Sequence, residues 1–294
     1  MSYYTRLSKA FEDALHLPLT PDSKYILMSD CHRGNGTSTD NFLKNQNLFF
    51  AALQYYYMNN FTYIELGDGD ELWENRSMAQ IINIHSNTFW LMSKFYEENR
   101  LYLIYGNHDI MKSFPGYTKR NCTVYYCPES RNYTPLLPGI KFYEGLILDV
   151  IPGIHDVYLA HGHQADFFNT KLWHLSRFLV RYLWRPLEYI GILDPTSAAK
   201  NNIRKRKIEQ NLSTWAKNEG HILITGHTHR PMLADVSETP FFNTGSCVHP
   251  RCITGIEIEK HCFTLVKWTY CTRKDFTVAI CREVLAGPIC INEY

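Results

Sequence analysis

Five short apolar segments of the chain each run into a polar cluster. They span residues 25–28, 63–66, 101–105, 157–160 and 221–224. Each has the length of a β-strand and has glycine nearby, as expected for a strand buried inside a sheet. Helical patterns at residues 47–58 and 78–96 separate the first three segments. Alternating strands and helices predict an α/β fold in which helical crossovers join the strands.

The pattern changes after Pro240. Residues 256–259 alternate in polarity, and residues 262–270 and 277–284 are rich in residues that favour strands. We expect these segments to form antiparallel strands that complete a second sheet. Neither a repeat nor a linker interrupts the sequence, which predicts one domain over residues 1–294 with a helical insert at about 166–219.

Charge and composition narrow the class of function. The 30 Lys+Arg and 29 Asp+Glu give a formal net charge of +1, so no long nucleic acid is expected as a partner. The 13 histidines point to metal binding, because neutral imidazole is the commonest metal ligand. The 20 Tyr, 16 Phe and 6 Trp raise the question of an apolar or ring-shaped ligand.

The cysteines and the apolar stretches bear on the cellular compartment. No apolar stretch approaches the ~18 residues that span a bilayer, and residues 1–28 lack the apolar core of a secretory signal. The nine cysteines are scattered and contain no Cys-x-x-Cys pair, which favours free thiols in a reducing cytosol. We therefore expect a cytoplasmic protein, with peripheral contact to a membrane as a further option.

The polar clusters that follow the five segments contain the residue types that bind transition metals. They supply carboxylates, one amide oxygen and several imidazoles, at Asp30, His32, Asp68, Asn107, His161, His227 and His229. Ligands bind beyond the carboxyl ends of the strands in α/β sheets, where all of these residues fall. This donor set predicts two adjacent divalent transition metals, because imidazole and carboxylate fit Zn, Mn, Fe or Co better than Mg²⁺ or Ca²⁺ alone.

The order of the clusters resembles the signature of calcineurin-like metallophosphoesterases. The matching motifs are Asp30-x-His32, Gly67-Asp68-x-x-Glu71, Gly106-Asn107-His108-Asp109, His161-Gly162 and Gly226-His227-x-His229. Residues 243–246 also resemble the strand that follows the last motif in bacterial members. The resemblance implies a four-layer α-β-β-α sandwich with a helical lid insert, and hydrolysis of phosphoesters.

The same resemblance implies roles for the individual residues. One cation binds Asp30, His32 and His229, a second binds Asn107, His161 and His227, and Asp68 bridges the two. Mn, Fe, Zn or Co suits these ligands, with Mn favoured. His108 is not a ligand and acts as a general acid or charge stabiliser at the leaving group. Glu71 is the first candidate to orient the His108 ring and Asp109 the second.

The motif details bear on the substrate, a small phosphorylated molecule. Gly-Asp-x-x-Glu-x-Trp at residues 67–73 looks more like UDP-2,3-diacylglucosamine pyrophosphatases than like the Ser/Thr protein phosphatases. Residues 33–36 and 161–166 depart from that group. We expect a phosphodiester or pyrophosphate substrate, lipid-linked or a nucleotide sugar. A nuclease or cyclic-nucleotide phosphodiesterase is the alternative, and a non-catalytic scaffold is a weaker one.

Two residues beside the predicted ligands are candidates for substrate binding. Arg33 follows His32, and its guanidinium could hold a phosphate oxygen, or it could be a surface arginine paired with Asp40 or Glu74. His163 could contact substrate or cap its loop.

The segment at residues 167–190 contains seven aromatic residues. As a helix, it places leucines and Tyr182 on one side and a row of arginines, Arg177, Arg181 and Arg185, on the other, and Pro186 limits its length. This pattern suits a membrane interface, a lipid or another apolar ligand, and the arginine row could hold phosphate. The alternative is a surface helix that packs its apolar face on the core. The basic residues at 200–207 could attract anionic lipid or nucleic acid, or form a solvated helix face.

Overall fold

The structure is a computed structural model that describes residues 1–127, 130–151, 155–188 and 201–294. The strands are β1 (Leu15–Leu19), β2 (Lys24–Met28), β3 (Thr62–Leu66), β4 (Leu101–Ile104), β5 (Val124–Cys127), β6 (Asn132–Pro135), β7 (Phe142–Tyr143), β8 (Gly145–Val150), β9 (Val157–Ala160), β10 (Ile222–Thr225), β11 (Phe241–Asn243), β12 (Cys252–Glu259), β13 (Cys262–Thr272) and β14 (Val278–Cys290). The helices are α1 (Tyr3–Lys9), α2 (Gln46–Met58), α3 (Met78–Ile84), α4 (Ser86–Glu97), α5 (Pro115–Asn121), α6 (Phe167–Lys171), α7 (Trp173–Leu179), α8 (Arg185–Glu188) and α9 (Asn202–Glu219). All five predicted strand segments are confirmed.

A seven-stranded sheet contains the first three of the predicted strands. Its order is β14-β13-β12-β2-β3-β4-β7, in which β2, β3, β4 and β7 run parallel. The antiparallel strand β12 pairs with β2, and Ile256 lies opposite Leu27. The expectation that the last three strands complete a second sheet is therefore wrong. They extend the first sheet, because the edge of β2 away from β3 accepts β12.

The second sheet has five strands in the order β1-β8-β9-β10-β11. Strands β9, β10 and β11 run parallel, and β8 pairs antiparallel with β9. The carboxyl ends of β9 and β10 therefore lie at one edge, as the sequence pattern requires for the last two polar clusters.

Alternate residues of the central strands pack into different cores. Ile26 and Met28 face α2 and α4, whereas Leu27 between them lies in a core shared by the two sheets. In the same way Ile224 faces the other sheet, and Leu223 packs against α1 and α9. Three cores separate four layers, which confirms the α-β-β-α sandwich. Because both faces are buried, these strands have continuous apolar sequences.

The predicted helix over residues 47–58 is confirmed as α2. The pattern at 78–96 forms two helices, α3 and α4, which are separated at His85. The buried His85 ring lies 3.0 Å from Asp40 through its Nε2. This contact explains a polar residue in an otherwise apolar pattern.

The insert differs from the single helix that its pattern predicts. Helices α6, α7 and α8 are short, and a π-helical segment, Val180–Trp184, joins α7 to α8. Pro186 lies inside α8, two residues after the π-helical segment, and the helix continues past it to Glu188. Residues 189–200, which include the end of the predicted helix and Lys200, lie outside the described residues.

The apolar side of the insert faces outward. Leu175 and Phe178 are each about half exposed, so this part of the apolar face does not pack on the core. Tyr182 is also about half exposed, and its hydroxyl accepts from Arg76 Nη2 at 2.5 Å. Arg181 instead donates to the backbone carbonyls of Leu72 and Trp73 at 2.8 and 2.7 Å. The arginine side therefore attaches the insert to the body of the protein.

The cysteine prediction is wrong for four residues. Cys262 is bonded to Cys290 and Cys271 to Cys281, and both disulfides join β13 to β14. Sequence spacing cannot assign such pairs, because their connectivity depends on strand register. Among the described residues, none of the helices has the length and hydropathy that a membrane crossing requires.

Candidate metal centre

The polar clusters of both sheets converge at the carboxyl ends of β2, β3, β4, β9 and β10. Five of the predicted ligands have a left-handed backbone, with φ between 47° and 68°: Asp30, His32, Asp68, His227 and His229. Left-handed backbone is unfavourable for residues with a Cβ, at a cost of about 1–3 kcal/mol each, and concentrates at functional sites. The strand-end turns therefore aim these side chains into one region at the expense of stability.

Two motif glycines permit the turns to approach one another. A Cβ on Gly106 would overlap Asp68, and one on Gly226 would overlap Ser29 and Asp30. The Gly106 overlap includes the Asp68 backbone nitrogen at 2.6 Å, and the Gly226 overlap falls on the fully buried side chains of Ser29 and Asp30. These groups have little room to move, which favours glycine at both positions.

The first cluster consists of Asp30, His32 and His229. The Nε2 atom of His229 lies 3.0 Å from Asp30 Oδ1, and His32 Nε2 lies 3.7 Å from the same oxygen. The two imidazole Nε2 atoms are 3.4 Å apart. Three ligand atoms thus surround one point, as a metal ion requires.

The second cluster consists of Asp68, His161 and His227. His161 Nδ1 lies 2.7 Å from the carbonyl oxygen of Leu66, which fixes the ring, and its Nε2 lies 3.1 Å from Asp68 Oδ2. The same Asp68 oxygen is 3.9 Å from His32 Nε2 in the first cluster. Asp68 therefore lies between the clusters, where the predicted bridging ligand belongs.

Buried polar atoms without partners test whether this donor set fits cations. Both side-chain amide atoms of Asn107 are buried and have no hydrogen-bond partner within the described residues. An unsatisfied buried polar atom costs about 1–3 kcal/mol. Carboxylate, amide and imidazole are ligands for divalent transition metals, so the residues present fit such ions.

The electrostatic balance of the site also favours cations. Burial alone would raise the pKa of Asp30, but His229 and His32 hold it well below its usual value. Burial alone would lower the pKa of His161, yet Asp68 raises it to about 9. The carboxylates are thus ionised and attract positive charge.

His108 lies beside the first cluster. Its Nδ1 is 2.7 Å from Glu71 Oε2, its backbone N–H donates to Asp68 Oδ1 at 2.7 Å, and Trp73 stacks on its ring at 4.2 Å. Glu71 Oε2 also lies 2.9 Å from His32 Nδ1. Burial alone would raise the pKa of Glu71, but the neighbouring His108 and His32 lower it to about 2. Glu71, the first of the two candidates, therefore contacts His108.

The Asp109 carboxylate has partners other than the His108 ring. Its carboxylate accepts from the backbone N–H of Gly106 at 2.7 Å and from Lys112 Nζ at 2.8 Å. It holds the turn that carries Asn107 and His108, so its assignment as an alternative orienting residue is corrected.

Arg33 is fully buried, which contradicts a substrate-binding role. Its guanidinium donates to both oxygens of Glu65, at 2.7 and 2.8 Å, and to Asp70 at 2.7 Å. The Arg33 carbonyl accepts from the Glu71 backbone N–H at 3.0 Å. Arg33 thus supports the turn that carries Glu71. The alternative prediction, that Arg33 is a surface residue paired with Asp40 or Glu74, is wrong as well.

His163 is buried next to the second cluster. Its ring centroid lies 5.5 Å from that of His161, and its Nδ1 has no hydrogen-bond partner in the described part of the chain. Contact with substrate stays a prediction.

Several supporting residues were missed by sequence reasoning. Ser29 Oγ contacts Asp30 Oδ2 and lies 2.7 Å from Thr244 Oγ1. Asn243 Nδ2 donates to the Gly226 carbonyl at 2.6 Å and so fixes the turn before His227. The motif at 243–246 was a signal for this contact, whereas Ser29 had none.

The comparison with sequence models of protein families agrees with this arrangement. The sequence model of the family described as calcineurin-like phosphoesterase matches residues 23–231. The chain therefore belongs to the calcineurin-like phosphoesterase family. No curated protein matches its sequence. Among solved structures, Vps29 from Chaetomium thermophilum is similar over 90% of this chain and 96% of that chain, with 11% sequence identity and a TM-score of 0.40.

Proposed function

We propose that the protein is a phosphoester hydrolase that uses two divalent metal ions, with Mn²⁺ favoured, to cleave a phosphodiester or pyrophosphate. The observation that carries this proposal is the position of Asp68, whose Oδ2 lies 3.1 Å from His161 in one ligand cluster and 3.9 Å from His32 in the other. A shared carboxylate is what two cations about 3.5–4 Å apart need.

The predicted ligands would hold the two ions, with Asn107 supplying its free amide oxygen. When bound, divalent cations neutralise phosphate oxygens and lower the pKa of water. His108 donates a proton to the leaving oxygen through Nε2, because Glu71 faces its Nδ1 at 2.7 Å. Trp73 holds the His108 ring in place by stacking.

The insert supports a lipid-linked or nucleotide-sugar substrate. Arg181 of the insert donates to the carbonyls of Leu72 and Trp73, the two residues that follow Glu71 in the sequence. Phe178 and Tyr182, with ring centroids 4.9 Å apart, lie on its exposed apolar side. An exposed aromatic and leucine surface beside a phosphate-binding centre suits an acyl chain or a membrane surface. We propose that this surface, within residues 167–188, contacts the apolar part of the substrate.

A hydrolysis panel with added Mn²⁺ tests the substrate. It contains an aryl phosphomonoester, an aryl phosphodiester, a nucleoside diphosphate sugar and the acylated form of that sugar. The proposal expects preference for the acylated substrate, lost in Phe178→Ser but kept in the control Phe276→Ser, which alters an aromatic residue exposed at the β13–β14 turn.

Other outcomes of the panel separate the alternatives. Preference for short soluble diesters, with no effect of Phe178→Ser, would refute the lipid-linked substrate and favour a cyclic-nucleotide phosphodiesterase. A metal-loaded protein that cleaves none of the four substrates would favour a non-catalytic scaffold.

A further inference from the structure

Asp166 lies against a predicted metal ligand without being one of the motif residues. Its Oδ2 is 3.4 Å from His227 Nε2, and both side chains are buried. A short 3₁₀ turn, His163–Ala165, joins Asp166 to the predicted ligand His161. The Asp166 backbone N–H donates to the His163 carbonyl at 2.8 Å, which closes this turn. The side chain is therefore held in place from its own backbone.

Arg204 holds the Asp166 carboxylate from the other side. Its Nη2 lies 2.7 Å from each carboxylate oxygen, and it belongs to the first turn of α9. The side chain of Asn201 caps this first turn, because its Oδ1 accepts from the Arg204 backbone N–H at 3.1 Å. The Asp166 carboxylate thus has an arginine on one side and the His227 imidazole on the other.

When a carboxylate accepts a hydrogen bond from one imidazole nitrogen, the other nitrogen is left unprotonated and has the lone pair that can bind a metal ion. When His227 Nε2 carries the proton, Nδ1 becomes the nitrogen that can bind a cation. Carboxylates in this position orient ligand imidazoles and raise their basicity, and their loss typically lowers metal affinity by about 10–100-fold.

We infer that Asp166 is a positioning residue for His227, and that Arg204 holds Asp166 in place, so that helix α9 of the insert stabilises one of the two metal sites. This inference rests on the proposed function. The insert then contacts the metal centre at two places. Arg181 binds the carbonyls of Leu72 and Trp73, next to Glu71, and Arg204 binds Asp166, next to His227. The insert therefore acts on metal binding as well as on substrate.

The test is a calorimetric titration of metal-free protein with Mn²⁺, with thermal unfolding of the metal-free variants alongside. Asp166→Asn keeps the shape of the side chain and removes its charge, and Arg204→Gln removes the supporting guanidinium. Arg206→Gln is the control, because Arg206 is on the same helix and exposed.

We expect one of two Mn²⁺ binding steps to weaken by about 10–100-fold in Asp166→Asn, and the other to stay unchanged. Arg204→Gln weakens the same step by less, and Arg206→Gln has no effect. Loss of the partly buried Asp166–Arg204 pair lowers the metal-free melting temperature of both insert variants, so the discriminating readout is the selective weakening of one binding step. Two unchanged steps in Asp166→Asn would overturn the inference. So would equal weakening of both steps. Wild-type protein that binds no Mn²⁺ would instead contradict the proposed function.

Discussion

At the scale of single residues, the site depends on groups that are unfavourable by themselves. Asp30 and Asp68 combine burial, charge and a positive φ, and Arg33 is a fully buried guanidinium. Each is tolerated because neighbouring groups satisfy it: imidazoles face the two carboxylates, and Glu65 and Asp70 face Arg33. Removing one partner from such a group is therefore more damaging than the net strength of the contact indicates.

Arg33 provides a direct test of this principle. Arg33→Ala removes the guanidinium from buried Glu65 and Asp70, which keep the Tyr63 hydroxyl and Lys112 as their remaining partners. We expect a loss of about 3–5 kcal/mol in the free energy of unfolding. Urea denaturation measures it, with Arg206→Ala as the exposed control. A stable Arg33→Ala protein whose only defect is a higher KM would restore the substrate-binding role.

Asp40 predicts a pH effect on stability. Burial alone would raise the pKa of Asp40, but His85 and the Gly36 backbone N–H lower it below its usual value. A depressed carboxyl pKa stabilises the fold above the unfolded pKa of about 3.9, and this contribution is lost as pH falls through the folded value. Asp40→Asn should cost about 1–3 kcal/mol at pH 7, and the difference from wild type should shrink towards pH 3.

The control for Asp40 is an exposed pair of the same type. Asp149 Oδ1 lies 2.7 Å from His16 Nδ1 with both side chains substantially exposed, so Asp149→Asn should change stability by about 1 kcal/mol or less. A gap between wild type and Asp40→Asn that is the same at pH 7 and pH 3 would contradict the assignment.

At the scale of elements, the turns after the strands and the two long C-terminal strands have different functions. The short turns after β2, β3, β4, β9 and β10 carry the predicted ligands. The hairpin of β13 and β14 extends from the sheet, with Phe276 and Val278 exposed near its turn. Two disulfides join its strands, which stabilises an element that has few core contacts at its outer end.

The hairpin predicts a redox effect. Alkylation of the unfolded protein should label four fewer thiols before reduction than after reduction. Intact-mass spectrometry measures the number of labels. Replacing Cys262 and Cys290 by serine should lower the free energy of unfolding by roughly 2–4 kcal/mol. Equal labelling in oxidising buffer would contradict the disulfides and restore the free-thiol interpretation.

At the scale of the whole molecule, two sheets bring motifs from distant parts of the chain to one edge. The sequence predicted the apolar strands and the motif residues at their ends, because both faces of these strands are buried and the turns require particular residues. It did not predict the pairing of β12 with β2, since pairing depends on which sheet edge is free. Nor did it predict the partners of Arg33 or Asp166, because an ion pair between Arg33 and Glu65 leaves no periodic signal in the sequence.

Bound metal should also stabilise the whole chain. The buried amide oxygen of Asn107 has no partner in the described residues, so a cation that occupies the site satisfies it. Mn²⁺ at 100 times its dissociation constant adds about 2.7 kcal/mol of stability per site.

The most direct test of the central claim measures bound metal and phosphodiester hydrolysis together, in wild type and in Asp68→Ala. We predict two Mn²⁺ ions per wild-type chain, hydrolysis that a chelator abolishes and Mn²⁺ restores, and loss of both metal and activity in Asp68→Ala. Wild-type protein without bound metal, or Asp68→Ala with unchanged hydrolysis, would contradict the account.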